Sequence, residues 1–228
     1  DKLIKFKNSN SVKAIILRVD SPGGGVGAAQ EIYQEVKKIK KIKRVVASMG
    51  SVAASGGYYV VCGADKIVAN PGTLTGSIGV IMEFVNMKEL LHWAKMRSEV
   101  VKSGDYKDVG NPFRDMKKEE REHLQRLIDN VHNQFKKAIV ESRGLSSEKV
   151  EKIADGRIFS GEQAKNLGLV DELGDLQDAI DIAAKMVGIK GEPMVIYPEK
   201  PRPSIWELLF DRALARLSRE VMQGGWYQ

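Results

Sequence analysis

Three apolar runs separated by two helical patterns, all within the first 70 residues, constrain this chain more than any other feature. Val12–Asp20 (VKAIILRVD) is almost continuously apolar and ends in a turn, as a strand covered on both faces does. A glycine-rich connection, SPGGGVGAA, leads into AAQEIYQEVKKIKK, which places Ile32, Val36 and Ile39 on one helical face. Arg44–Gly50 (RVVASMG) reads as a second buried strand. The small-residue stretch SMGSVAASGGYYV comes next and continues as a helix through Ala64, and DKIVANP is a third strand. Strand, helix, strand, helix, strand implies parallel strands with right-handed crossovers, hence an α/β sheet.

The rest of the chain is helix-rich. GVIMEFV and SEVVKSG read as further strands around a helix, Met87–Met96. A long helix over about Lys117–Ser142 carries Leu124, Ile128, Val131, Phe135 and Ile139 at spacings of three and four. Shorter helices follow at Glu148–Ala154, Gly161–Leu167 and Leu176–Val187, and Ser160 before GEQA is a fitting N-cap. MVIYPEKPRPS (Met194–Ser204) is a strand running into a proline-rich connector. The tail has Trp206, Leu209, Phe210, Leu214 and Leu217 on one stripe, an amphipathic helix able to lie on the domain, a second copy or a membrane surface. Two parts are expected: a main domain over 1–190 and a C-terminal extension over 191–228. The chain begins at Asp1 and enters a strand pattern almost at once, so it reads as trimmed at its N-terminus.

Composition removes several function classes. The 228 residues are 43% hydrophobic with a formal net charge of +6, ordinary for a folded domain with a sizeable core. The basic run Lys37–Arg44 (KKIKKIKR) fits the solvated face of a helix better than a nucleic-acid site. Cys62 is the sole cysteine, so the chain has no internal disulfide and no cysteine-built metal centre. His123 and His132 stand nine residues apart on one helix, which is not ligand spacing, and no metal or cofactor is expected. No apolar run approaches the ~20 residues that span a bilayer.

The small-residue stretch holds three serines. A nucleophilic serine belongs at a tight strand-to-helix turn, where its hydroxyl is exposed beside the positive end of a helix dipole. Ser55, between Ala53-Ala54 and Gly56-Gly57, meets these conditions. Ser48 lies inside the strand, and Ser51, just after Gly50, is placed at the turn. Cys62, seven residues on, falls on the same helical face as Ser55 and reads as a packed thiol. An acyl-transfer intermediate needs two N–H donors for its oxyanion. Gly56 N–H is one candidate, and the SPGGG turn, one βα unit earlier at the same sheet edge, is the other source.

The general base is harder to read. No histidine sits in a suitable context, whereas a lysine can serve if it is neutral. Half deprotonation near pH 7.5 needs a downward shift of about three units, or roughly 4 kcal/mol, which an apolar site without a nearby carboxylate supplies. Lys102 and Lys107 both lie in VKSGDYKDVGNPF, and the residues alone do not choose between them. Asp105 and Asp108 flank Lys107 and would raise its pKa if they faced it.

LRVDSPGGGV, SMGSVAASGGYYV, TLTGSIGVI, KSGDYKDVGNPFR and ADGRIFSGEQAKNLGLVDELG, in that order from about Val12 to Leu176, together resemble the signal peptide peptidase A family in its short, single-copy form. The resemblance implies a Clp protease-like (crotonase-type) fold with repeated β-β-α units and C-terminal helices. It implies a Ser/Lys dyad with Ser55 as nucleophile and Lys107 as base. It further implies that Ser77, in TGSIGV, hydrogen-bonds the lysine amine, and that Gly56 and Gly24 supply the oxyanion amides. Hydrophobic peptides, signal peptides among them, are the implied substrates. The implied setting is the cell membrane, reached through an N-terminal anchor absent here, with the catalytic domain on the extracytoplasmic side. A homo-oligomeric ring, for instance an octamer, is implied, with serine and lysine sometimes drawn from neighbouring subunits.

Three other readings stand beside this one. A peptidase of the same fold could cut another membrane or capsid protein. An acyl-CoA hydratase or isomerase uses similar glycine turns but more often places an acid where Ser55 stands. A non-catalytic ring scaffold would use only the amphipathic tail and the basic charge.

Overall fold

A computed structural model of the chain describes residues 2–198. The chain divides into two compact units, Asp1–Pro193 and Met194–Gln228. Of the second unit, residues 194–198 are described. They form no strand, against the expectation for MVIYP, and the amphipathic tail helix lies outside the described residues.

The first unit opens with α1 (Lys2–Asn8), a helix ahead of the first expected strand. Lys43 donates to the Phe6 and Ser9 carbonyls at its C-terminal end, at 2.9 and 2.5 Å, satisfying acceptors the helix leaves open. Then come β1 (Ala14–Ser21), α2 (Val26–Lys40), β2 (Arg44–Ala54), α3 (Gly56–Val61) and β3 (Lys66–Ala69), the alternation read from the sequence. β4 (Leu74–Gly76), α4 (Lys88–Trp93), α5 (Lys118–Arg143), α6 (Ser147–Ile153), β5 (Ile158–Ser160), α7 (Gly161–Leu167), β6 (Glu172–Leu173) and α8 (Leu176–Met186) complete it. Among the described residues the sheet has six strands. β1, β3 and β4 all pair in parallel with β2, β6 pairs in parallel with β3, and only β4–β5 is antiparallel.

Alternation along the strands sends side chains to opposite faces. Val45, Ala47 and Ile67 join the large core formed with Tyr33, Val36, Ile39 and Phe135. Val46 and Val68, one residue out of step, meet Ala179 and Ala183 of α8. Helices thus cover both faces of the sheet, which is why its strands are continuous apolar runs. On α2 the buried face is Ala29, Tyr33, Val36 and Ile39, while Ile32, expected inside, is exposed.

β2 runs four residues past the expected Gly50, because its last three residues pair with β4, Val52↔Leu74 to Ala54↔Gly76. Its pairing with β1 slips between Val19↔Met49 and Ser21↔Ala53, a bulge that frees backbone groups. Side chains satisfy them: Asp20 Oδ1 accepts from Val52 N–H at 2.9 Å, and Thr73 Oγ1 donates to the Gly50 carbonyl at 2.7 Å. Ser51 is therefore a strand residue and not a turn residue.

The strands expected at GVIMEFV and SEVVKSG do not form. Ladder contacts persist only to Ile78, with Ser77 N–H to Arg157 O at 2.8 Å and Gly156 N–H to Ile78 O at 3.2 Å. Beyond that point no neighbouring strand among the described residues offers partners. The segment leaves the core, with Ile81, Phe84, Val85, Trp93, Met96 and Val101 exposed on it. Hydrophobicity alone marked these residues for burial, but the described residues do not bury them.

Candidate active site

In an open parallel sheet, loops gather at the carboxyl ends of the strands, and there a ligand meets chain turns and helix starts. Here the ends of β1, β2 and β4 lie side by side. The registers Ser21↔Ala53 and Ala54↔Gly76 bring the SPGGG turn, Ser55 and Ser77 into one cluster. Ser55 N–H donates to the Gly76 carbonyl at 2.8 Å. The nucleophile candidate, the glycine turn and the second serine, remote from one another in sequence, become neighbours through strand pairing alone.

Ser55 is the N-cap of α3 and takes φ 52°, ψ −120°. For a residue with a side chain this is a sparsely populated conformation costing about 1–3 kcal/mol, and such strain collects at functional sites. Ser77 has φ 49°. Two serines in strained backbone at the ends of two paired strands single out this point of the fold.

The turn beside them is packed to atomic contact. A Cβ on Gly23, itself at φ 126°, would lie 3.0 Å from Ser55 Cβ and 3.2 Å from Gly56 N. Gly24 N lies 3.2 Å from where a Gly56 Cβ would be, so the two expected oxyanion donors are adjacent. The N–H groups of Gly56, Gly57 and Tyr58 lie in the first turn of α3, whose geometry gives them no acceptor within the helix. A Gly57 Cβ would come 2.8 Å from the Ser21 carbonyl oxygen, so α3 sits directly on the end of β1.

A narrow crevice of about 20 Å³ lies at Ser55, with Gly24, Gly56 and Gly79 as its backbone walls. Val26, Ala29, Tyr59, Val80, Val131 and Phe135 provide its apolar side chains. Tyr59 stacks on Phe135 with centroids 4.5 Å apart and meets Tyr33 edge-on at 5.2 Å, which ties α3 to α5 and α2 beneath the cleft. The sequence reading missed these wall residues. Their one signal was the spacing of Val131 and Phe135, one helical turn apart on α5, which read only as core.

Ser48 is buried in β2 and accepts from Arg18 at 2.8 Å. Cys62 is fully buried, and burial pushes its thiol up to about 12, so it is no nucleophile at neutral pH. Among the described residues no hydrogen bond joins Lys107 to Ser55, and Lys107 does not line the Ser55 cleft. Lys107 lies in the exposed turn region before α5, its N–H donating to the Gly104 carbonyl at 3.1 Å. Lys102 is engaged: it donates to Asp108 Oδ1 at 2.6 Å and to the Asp105 carbonyl at 2.9 Å. Among the described residues Lys107 forms no ion pair within 4 Å.

The profile of peptidase family S49 matches residues 37–190. A protein of Synechocystis sp. carrying a provisional protease name, slr0021, is 42% identical over 91% of this chain and 75% of its own length. An Enterococcus faecium protein provisionally named signal peptide peptidase SppA is 38% identical over 81% of this chain and 54% of its own length. The chloroplastic serine protease SPPA of Arabidopsis thaliana is 36% identical over 90% of this chain, but the match spans only 30% of that longer protein. Among solved structures, a point mutant of ClpP1 from Listeria monocytogenes superposes with a TM-score of 0.52 at 22% identity, covering 78% of this chain and 83% of that one. The fold is Clp protease-like, as the motifs implied.

Proposed function

Because the chain belongs to peptidase family S49, we propose that it is a serine endopeptidase that cuts hydrophobic, unfolded peptides, cleaved signal peptides among them, with Ser55 as nucleophile and Lys107 as general base. The neutral Lys107 amine takes the Ser55 proton as Oγ attacks the scissile carbonyl carbon. The Gly24 and Gly56 amides receive the oxyanion. Collapse breaks the C–N bond, and the leaving amine takes the proton back from Lys107. Water, deprotonated by Lys107, then attacks the acyl-enzyme, releasing the carboxylic acid and restoring Ser55. Ser77 holds the lysine amine by a hydrogen bond. The observation that carries this reading is the strained Ser55 at the start of α3, in contact with the glycine turn and opening on an apolar cleft.

The lysine is supplied by a neighbouring copy on this reading. The exposed segment from Ile81 to Val101 is the surface that would bury itself against that copy, since large apolar side chains held in water favour association. The assembly is a closed ring at the extracytoplasmic face of the membrane, where signal peptides remain after secretion.

The test measures hydrolysis of a hydrophobic peptide by wild type, Ser55→Ala, Lys107→Met and a refolded mixture of the two variants. Each variant alone should lose at least about 10³-fold in kcat/KM, the scale on which nucleophile and base act as a unit. The mixture should recover part of the activity, because mixed rings contain intact Ser55/Lys107 pairs. Wild-type rates in both single variants would sink the dyad, and an inactive mixture would place both residues in one chain.

A further inference from the structure

Lys107 can act as a base only if it sheds its proton near neutral pH, yet an aspartate adjoins it at position 108. The structure shows what occupies that aspartate. Arg114 donates to Asp108 Oδ2 through Nε at 2.8 Å and to Oδ1 through Nη2 at 2.9 Å, a bidentate pair, and Lys102 adds a third bond to Oδ1 at 2.6 Å. Arg114 also donates to the Asp108 carbonyl at 3.1 Å. Its guanidinium is held from behind by Glu120, through Nη1 to Oε2 at 2.8 Å and Nη2 to Oε1 at 2.5 Å. Glu120 is 2% exposed and accepts from Lys117 N–H at 2.9 Å, closing the N-terminal cap of α5. Two cations and two carboxylates thus form one network of zero net charge, running from the Lys107 turn to the first turn of the long helix.

We propose that Arg114 is a positioning residue for the Lys107 base: it occupies the carboxylate of Asp108, the next residue in the chain, and ties the Lys107 turn to α5. This rests on the reading of Lys107 as the base. It answers the objection that the sequence raises against Lys107, because the aspartate that follows it is already satisfied on both oxygens. An Arg suits the task better than a Lys would, since only the planar guanidinium can grip Asp108 and Glu120 at once.

The other titratable groups around this turn are few. Facing Asp108 are Lys102 and Arg114, with Glu120 behind Arg114. Asp115 lends Arg114 only its backbone carbonyl, at 3.0 Å, its carboxylate going to Asn86 and Lys88. Asp105 is exposed, and its carbonyl, at 2.9 Å, takes Lys102. The Tyr106 ring lies 5.3 Å from that of His123 on α5, so His123 is the one imidazole at this turn among the described residues.

The test is the pH dependence of kcat/KM on a hydrophobic peptide, read in the assembled protein. Activity needs neutral Lys107, so it rises with pH through the lysine pKa. Arg114→Gln leaves Asp108 with Lys102 alone and gives the cluster net negative charge, which favours the charged lysine. The rising limb should move up by about 0.5–1 pH unit, with activity recovering at high pH. Adding Asp108→Asn to Arg114→Gln should bring the limb back. His123→Gln should leave it where wild type has it. An unmoved limb in Arg114→Gln, or a double variant that stays shifted, overturns the proposal. Should Arg114→Gln fail to fold, Lys102→Gln is read the same way, with a smaller upward shift expected and no shift overturning it. An active Lys107→Met would remove the base itself and the proposal with it; an inactive Lys107→Met with an unmoved Arg114→Gln limb would remove the proposal alone.

Discussion

Ser55 carries the clearest signature of function at the scale of one residue. Its φ of 52° is maintained by neighbours on every side: Gly76 O takes its N–H, Gly23 abuts its Cβ, and α3 starts from it. The backbone strain is the cost of an exposed hydroxyl at a helix start, so relieving it should stabilise the fold while destroying the chemistry. Ser55→Gly is expected to raise stability by about 1 kcal/mol, strain of roughly 1–3 kcal/mol being offset in part by the greater unfolded-chain entropy of glycine. That corresponds to about 2–4 °C in melting temperature, with peptide hydrolysis lost. A lower melting temperature than wild type would show that the conformation is not strained. Of the three serines in SMGSVAASGGYYV, the sequence alone singled out Ser55 by its small neighbours. It misplaced Ser51 because the slip in β2 pairing depends on Asp20 and Thr73, which are remote in sequence.

At the scale of elements, the site is a meeting of strand ends and a helix start, and its weak points are the contacts between them. Gly57→Ala drives a methyl into the Ser21 carbonyl, which must separate α3 from β1. Such overpacking should cost about 1–3 kcal/mol, measured by denaturant unfolding, and should lower kcat more than it raises KM by pushing the two oxyanion amides apart. Unchanged stability would mean that the contact relaxes freely. The cap of α5 makes a second prediction. Arg114 and its own capping bond to Lys117 hold Glu120 down at about 2, and Arg114 and Lys102 hold Asp108 below the usual carboxylate range. Both groups are depressed in the folded state, so their stabilisation is complete above the unfolded carboxylate pKa and is lost as pH falls through the folded values. The melting temperature should therefore fall between about pH 4.5 and 2, and Glu120→Gln should flatten that fall, as followed by circular dichroism. The helical elements were legible because periodicity and caps are local: α7 has the expected bounds, and Ser160 caps it, accepting from Gln163 N–H at 3.2 Å. The strands expected after Ser77 failed because a strand exists only through a partner, and local apolar pattern does not supply one.

At the scale of the molecule, the exposed apolar segment between Ile81 and Val101 is the feature a lone chain leaves unresolved. Trp93→Glu with Val101→Lys should shift the mass in light scattering from an assembly toward one chain of 25.3 kDa, and activity should fall with it. A wild type that is fully active at the mass of one chain would exclude sites shared between copies. Among the described residues no helix is long and apolar enough to cross a membrane.

By itself the sequence determined the α/β alternation, the helix-rich second half, the family through five colinear motifs, and Ser55 as the residue to suspect, because periodicity, caps and small-residue turns are written in neighbouring positions. Only the tertiary structure decided which turns share a sheet edge, how Ser55 is strained, which side chains wall the cleft, and that Arg114 and Lys102 take up Asp108. Those are relations between residues far apart in the chain, fixed by strand register and by the packing of α5, and no local pattern encodes them.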